Sequence, residues 1–499
     1  MKKIFILITV MASLMSCVDL LQKPQSLPTA ETIELNELVL ESLTNGLYKD
    51  WWANNYGFNC RLQSLCLASD ETTTANYGTT RLPSDDKLQV TVDNLDVSIL
   101  WAAFYKAIFT ANNMLELIAS NDQLGTDVTD KYVGEAKFIR AMMYFYIVRL
   151  WGDAPAITSP HGDADINGNP DMPRTSLKEI YEKIIIPDLE DAILKLPLES
   201  RDVYNQGPTK WAARMALADV YLNMAGWPLK ETKYYAEAAS VALDIVDNSP
   251  HRLLPQYKSL WLKANSFDRT EHIFAFNHTL SYLPSQYAIS YLGTEEGGWC
   301  DYCADPVFFE SYPDDTRKEF NFVVKTIDNK TKQEIVWQNF QTKAPYIRKY
   351  RNYGGCGAYG IEGENSTASS LSEGITPIYR YADALLIYAE ASFKATGSAS
   401  AKAYECLNKV RDRAFGDTNH RLAGLTPEAF EKAVFDEYGW ENAFEMKRWF
   451  QLVRTEKVDE MVARNPSIDA RLNVNKHNYL FPVPVRQTEL RGWQNNPGY

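Results

Sequence analysis

Glu437, Glu441 and Glu445 recur at four-residue steps, so each neighbouring pair shares one face of a helix. Paired carboxylates are the machinery of glycoside hydrolysis, one serving as acid and the other as base or nucleophile. The neighbours argue for a different role. Glu445 lies three residues before Arg448 and among Trp440, Phe444 and Trp449, the pattern of a packed helix with ion pairs on its surface. Catalytic carboxylates also normally converge from different elements. The six histidines are scattered, and no Gly-x-Ser-x-Gly, His-Glu-x-x-His or phosphate-cradling loop occurs. An enzyme has no residues here to carry its chemistry, and no cofactor is implied. Asp163-x-Asp165-x-Asn167-Gly168 imitates the front of a calcium loop, but Arg174 stands where the bidentate carboxylate belongs, which leaves a polar turn and no metal. Cys300-x-x-Cys303 lacks a second such pair or a nearby His pair, so a local disulfide or two free thiols is expected instead of zinc.

The residues suited to binding are aromatic. A pyranose offers an apolar C–H face that a flat ring covers, while Asn, Asp, Arg or Gln beside the ring satisfies the hydroxyls. Two stretches supply this combination. Asn76, Tyr77 and Arg81 follow Asp70-Glu71, and Tyr282, Tyr287, Tyr291, Trp299, Asp301 and Tyr302 crowd a second region. Trp299 and Tyr77 lead, because both lie among Gly and small polar residues where a ring has little core to enter. Trp101, Trp151, Trp211 and Trp449 fall on helical stripes and are assigned to the scaffold.

The elements that must hold these residues are mostly helical. Leu95 to Leu117 places Trp101, Tyr105, Ile108, Asn112 and Leu115 on one stripe. The stretch from about Lys131 to Gly152 is apolar on nearly all sides, yet Lys137, Arg140 and Arg149 interrupt it, so burial in protein is expected and not burial in lipid. Thr175 to Leu196 reads as a helix with a kink at Pro187. Pro208 to Gly226 with Thr232 to Val246, and Ile378 to Thr396 with Ser400 to Ala414, are helical pairs with small residues at the facing positions, as in tetratricopeptide repeats. Residues 51–95 and 250–377 are loop-rich insertions with short strand-like pieces such as Glu334 to Gln338. Such loops on a rigid scaffold are where binding residues sit. Pro482 and Pro484 make the tail from Asn478 to Tyr499 extended. The expected fold class is mainly α, a tetratricopeptide-like scaffold of helical hairpins near 95–196, 208–248 and 378–455 with long insertions.

The N-terminus sets the address. Lys2 and Lys3 precede an apolar run from Ile4 to Met15, too short to span a bilayer but right for a secretory signal. Leu14-Met15-Ser16-Cys17 resembles a bacterial lipobox, so residues 1–16 are expected to be removed and Cys17 lipidated. Residues 17–32 then form a tether and 33–499 a single domain. A net charge of −13 and the lack of a basic cluster exclude a nucleic-acid partner and mildly disfavour strongly anionic polysaccharides, although Arg348-Lys349-Tyr350-Arg351 is one local exception.

Taken in order, these motifs resemble the SusD/RagB family. They are Asp70-Glu71, Trp101-x-x-x-Tyr105 with Asn112, Arg140 with Tyr144-Phe145 and Trp151-Gly152-Asp153-x-Pro155, and Pro173-Arg174-x-Ser176 before Asp188-Leu189. The second half adds Tyr379-Arg380-Tyr381-Ala382-Asp383, Asn408-x-Val410-Arg411-x-Arg413, Glu441-x-Ala443-Phe444-Glu445-x-x-Arg448-Trp449, Phe481-Pro482-Val483-Pro484 and Asn496-Pro497-Gly498-Tyr499. Tyr438, Met446 and Gln451 depart from the family's usual Arg, Gly and Asp. The resemblance implies an outer-membrane, cell-surface lipoprotein without enzymatic activity. Such a protein binds glycan and delivers it to a SusC-like TonB-dependent transporter. Two alternatives stay open at this level: a member that captures peptide or glycoprotein, and an adaptor solenoid that binds a protein through its concave face.

Overall fold

The computed structural model describes residues 34–52, 61–75, 78, 80–160, 172–200, 207–279, 281–285, 287–351, 373–463 and 476–499. Helix α1 (Glu37–Trp52) buries Leu47, Tyr48, Trp51 and Trp52 against α2 (Leu95–Ala119) and α3 (Thr126–Trp151). Asn94 starts α2 by accepting the Asp96 and Val97 amides, at 2.8 and 3.1 Å, which satisfies two of the helix's orphan donors. Helix α3 is buried along nearly its whole length and stops at Gly152, whose φ of +71° suits glycine and whose Cβ would meet Leu480 at 2.9 Å. Among the described residues, no helix is long and apolar enough to cross a membrane.

Helix α4 begins at Leu177–Ile180, widens into one π turn at Tyr181–Ile185, and continues as Ile186–Lys195. The distortion expected at Pro187 therefore sits in the preceding turn. Proline has no N–H and its ring crowds the carbonyl four residues back, so the ladder there slips to i→i+5, with Ile186 N–H reaching the Tyr181 carbonyl. Arg140 on α3 grips Asp188 on α4 through Nε and Nη2 at 2.7 and 2.8 Å and donates from Nη1 to Asn112 of α2 at 2.8 Å. That one side chain fixes three helices.

The stack continues with α5 (Lys210–Ala225), α6 (Tyr234–Asn248), α7 (Tyr381–Thr396), α8 (Ala401–Phe415), α9 (Pro427–Glu441) and α10 (Arg448–Arg454). Each of α4 to α8 packs against the next. Buried alanines line the close approaches: Ala212, Ala216 and Ala218 on α5, Ala238 and Ala242 on α6, Ala382 and Ala389 on α7. This is the tetratricopeptide-like arrangement expected from the small residues. One expectation fails at its start: Ile378–Arg380 belongs to a strand, and the helix begins at Tyr381. The β-branched residues Ile375, Thr376 and Ile378 favour the strand.

The strands are short and antiparallel. Following β1 (Thr72–Thr73), strand β2 (His272–His278) pairs with β8 (Gly374–Arg380) in a wholly buried ribbon, in the register His278↔Gly374 and Ala275↔Pro377. Phe274 and Phe276 of β2 meet Trp51 at 5.7 and 5.1 Å between ring centres, so the ribbon joins the two halves of the helical stack. The second insertion adds β3 (Cys303–Ala304), β4 (Phe322–Val323), the hairpin β5 (Lys325–Ile327) and β6 (Glu334–Val336), and β7 (Tyr346–Ile347). The C-terminal tail is extended through Pro482 and Pro484 but then forms a helical turn at Val485–Arg491, contrary to the extended reading. A proline at the N-cap blocks a preceding helix, not a following one.

The carboxylate ladder is also corrected. Helix α9 ends at Glu441, and Glu445 lies in the next turn, where Phe444 and Met446 have φ of 67° and 58°. Met446 thus holds the left-handed conformation for which glycine is the easier residue. Glu437, Glu441 and Glu445 are buried, not on a surface. Arg380 Nη1 and Arg413 Nη2 reach Glu441 Oε1 at 2.7 and 2.6 Å, Arg317 reaches Oε2 at 3.1 Å, and Arg380 Nη2 and Lys349 Nζ reach Glu445 Oε1 at 2.7 and 2.8 Å. Burial works against the Glu441 charge, but Arg413, Arg380 and Arg317 outweigh it and hold the carboxyl down to about 2. A carboxylate so committed to guanidinium partners is a structural tie.

Candidate functional site

The two stretches nominated for binding lie some two hundred residues apart in the chain, and the structure zips them together. Thr72 and Thr73 pair with Ala304 and Cys303 as an antiparallel ladder. The Ser64 and Tyr302 hydroxyls lie 3.1 Å apart, and Gln63 donates to the Tyr291 hydroxyl. Ala75, the residue before Asn76, packs on a small apolar cluster that contains Cys300, the residue after Trp299. Asn76 and Tyr77 themselves, like Cys17, lie outside the described residues.

Trp299 sits on a turn built to push it outward. The Gly297 φ is +86°, and a Cβ on Gly298 would stand 2.2 Å from the Leu292 carbonyl oxygen, so only glycine fits this crossing. The Gly298, Trp299 and Cys300 amides donate to the Gly293, Ile289 and Leu292 carbonyls at 2.9, 2.9 and 3.0 Å. With its backbone tied on both sides, Trp299 remains 46% exposed. Beneath it, Glu296 accepts both ends of the Arg351 guanidinium at 2.7 Å, the Gly293 amide at 2.9 Å and the Thr326 hydroxyl at 2.8 Å. Burial opposes the Glu296 charge, yet Arg351 and the other donors hold its carboxyl below the usual range. The hairpin β5–β6 completes the brace, because Asn329 N–H donates to the Glu295 carbonyl at 2.9 Å. A rigid turn presenting an aromatic face has the geometry that stacking on a flat ligand requires, with its ordering cost already met on folding.

The other nominated residues divide. Asp301 and Tyr302 are buried; Ser290 donates to Asp301 at 2.8 Å and Tyr302 packs on Tyr291 at 5.3 Å, so both serve the brace and neither offers a face. Arg81 is partly exposed, donating to Asp96 at 2.6 Å and Ser64 at 2.9 Å, and so ties the first stretch to α2. Tyr287 opens the short helix Tyr287–Tyr291, and its side chain lies outside the described residues. Tyr282 is half-buried in a separate hollow of about 990 Å³ between α1 and α2, with Asn45, Lys49, Asp50 and Lys106. Sequence reading missed Asn45, Lys49 and Asp50, whose only signal is their place on the face of α1 opposite Leu47, Tyr48 and Trp51. The cluster Arg348-Lys349-Tyr350-Arg351 is corrected: Lys349, Tyr350 and Arg351 are fully buried, and both cations are paired with glutamates, so no basic surface patch exists there. Cys300 and Cys303 are buried free thiols, the second raised by its hydrogen bond with the first and then by burial.

Stacked helical hairpins with a loop-built face define a tetratricopeptide-like helical protein. Residues 20–222 match the family described as starch-binding associating with outer membrane, and residues 270–499 match the SusD family. The chain belongs to the SusD/RagB family, a family of carbohydrate-binding proteins. It is 28% identical to SusD-like protein P2 of Formosa agariphila, over 99% of this chain and 98% of that one. Its fold matches a SusD superfamily protein from Parabacteroides distasonis with a TM-score of 0.79 at 25% identity, over 93% of this chain and 100% of the other. A laminarin-binding SusD-like protein gives 0.74 at 20% identity, over 93% and 99%.

Proposed function

We propose that this protein captures a glycan at the cell surface by stacking a sugar ring on Trp299, and delivers it to a SusC-like TonB-dependent transporter in the outer membrane, to which lipidated Cys17 tethers it. The observation that carries the reading is the exposed indole on a turn whose backbone and buried Arg351–Glu296 pair leave it no freedom to collapse. The family's description as starch-binding and outer-membrane associated, and the laminarin-binding neighbour, point the same way. The protein performs no chemistry on the glycan in this reading: the carboxylates at Glu437, Glu441 and Glu445 are committed to cations.

Intact cells carrying the protein, incubated with fluorescent glycans, test both parts. Trp299→Ala is expected to leave the protein on the surface and abolish labelling, whereas Cys17→Ser removes the protein from the surface. Labelling that survives Trp299→Ala rejects the stacking site, and Cys17→Ser protein that stays on the surface rejects the lipid tether.

A further inference from the structure

The second insertion has a small core of its own. Cys300, Cys303, Val323, Phe340, Ala344 and Tyr346 form a buried cluster apart from the main one. So few apolar groups hold a segment weakly, and a segment that cannot build a large core is where a covalent cross-link adds most. Two members of this cluster are already placed for one. Only Asp301 and Tyr302 separate Cys300 from Cys303, and Cys300 has a φ of 51°, in the left-handed region, so the chain turns there and does not run on extended. A disulfide needs Cα atoms about 4.4–6.8 Å apart, whereas three extended steps span about 10 Å, so the turn is what lets the pair meet. The thiols do meet: they are hydrogen-bonded to each other, and Cys303 Sγ lies 3.4 Å from the Thr73 carbonyl oxygen. Cys66 and Cys406 belong to the main core instead, and Cys60 and Cys356 lie outside the described residues.

The chemistry of exchange sets the order of events. A thiolate is the nucleophile that attacks a disulfide. In the folded protein both cysteines are fully buried, and the hydrogen bond with Cys300 and then burial push the Cys303 thiol well above its usual range. A thiol so protonated and enclosed is a poor nucleophile. The bond must therefore close before β3 pairs with Thr72 and Thr73 and the cluster seals. Once closed, the same burial shields it from reductants.

We propose that Cys300 and Cys303 close into a disulfide as the chain folds in an oxidising compartment, and that this bond clamps the Trp299 turn to the strand zipped onto the first stretch. One cysteine thiolate attacks the disulfide of a thiol–disulfide oxidoreductase to give a mixed disulfide, and the other displaces the enzyme. Both thiols lose their protons, the Cys300 Sγ–Cys303 Sγ bond forms, and two electrons leave with the oxidant, which departs as a dithiol. The clamp lies directly behind the aromatic platform, because Cys300 follows Trp299 and Cys303 is paired with Thr73. The oxidising setting rests on the cell-surface location proposed above.

Mass spectrometry of the full chain isolated from membranes, alkylated in denaturant without reductant and cut with trypsin, tests the bond. Cleavage after Arg269 and Arg317 releases residues 270–317, which hold Cys300 and Cys303 and no other cysteine. This peptide is expected to be two hydrogens lighter and to take up label only after reduction. A cross-link from either cysteine to the peptide of Cys60 or Cys356 overturns the pair, as do thiols still open to label after the same chain is reduced, unfolded and refolded in a glutathione redox buffer. Free thiols in the membrane-derived protein that close on refolding count against the proposed location and not against the pair. Hydrogen exchange reads the clamp: residues 289–303 are expected to exchange about tenfold faster in the reduced protein than in the oxidised one, with α5 and α6 unchanged. Equal exchange, or exchange faster throughout the chain, overturns the clamp.

Discussion

Glu71 shows what a single buried group does to the whole. It neighbours Asp70, which grips Arg448 at 2.8 and 2.9 Å, while Glu71 itself accepts only the Phe444 amide, at 3.1 Å, among its described donors. Burial pushes its carboxyl up to about 8, the Phe444 amide opposing, so the folded protein keeps a proton there that the unfolded chain releases near 4.5. Stability from this residue is therefore present below pH 4.5 and lost as pH rises toward 8, by up to about 1.4 kcal/mol for each pH unit. Glu71→Gln keeps the acceptor and removes the charge. Scanning calorimetry is expected to show it raising Tm by about 2 °C or more at pH 8 and leaving Tm unchanged at pH 4.5; an equal gain at both pH values would assign the effect to packing. Individual residues were unevenly legible in the sequence. Trp101, Trp151, Trp211 and Trp449 are buried as their stripes imply. The Arg380, Arg413 and Arg317 tie on Glu441 was not foreseen, because ion pairs between distant segments leave no periodic trace.

Among elements, the turn that carries Trp299 depends on partners far along the chain. Arg351 reaches it from beyond β7, and Tyr346 of β7 reaches Glu295. Arg351→Met keeps the stem but strands Glu296 as a buried unpaired charge, a loss of about 3–5 kcal/mol for the region. Hydrogen exchange is expected to show residues 289–300 losing protection in this variant while α5 and α6 keep theirs, with weaker glycan binding although Trp299 is untouched. Protection lost uniformly would mean the pair supports the global fold and not the turn. Helix α1 was not read in the sequence, whereas α2, α5, α6, α7 and α8 were readable to within a few residues from periodicity. The ribbon β2–β8, the ladder β1–β3 and the C-terminal turn at Val485–Arg491 were not. A two-residue strand carries no pattern, and pairing across two hundred residues is set by tertiary packing.

For the molecule as a whole, the family followed from motifs whose roles are now physical. Asn112, Arg140 and Asp188 bind three helices, Arg174 ties the segment before α4 to Asn496 at 2.7 Å, and Arg380 gathers Glu271, Glu441 and Glu445. Those residues hold the scaffold at helical spacing, so they are legible from sequence, while which loop aromatics face outward emerges only from packing. Trp299 was distinguished by composition alone, among glycines; Asp301 and Tyr302, two and three residues later, were equally plausible by type and are buried. Trp299 as the stacking ring is thus the central claim. Its most direct test is calorimetric titration of the purified protein against a panel of neutral and acidic oligosaccharides, beside Trp299→Ala. Saturable binding of one glycan class that weakens by about tenfold or more in the variant, at unchanged Tm, is the expected result. Silence across the panel, or the same affinity with and without the indole, would contradict it.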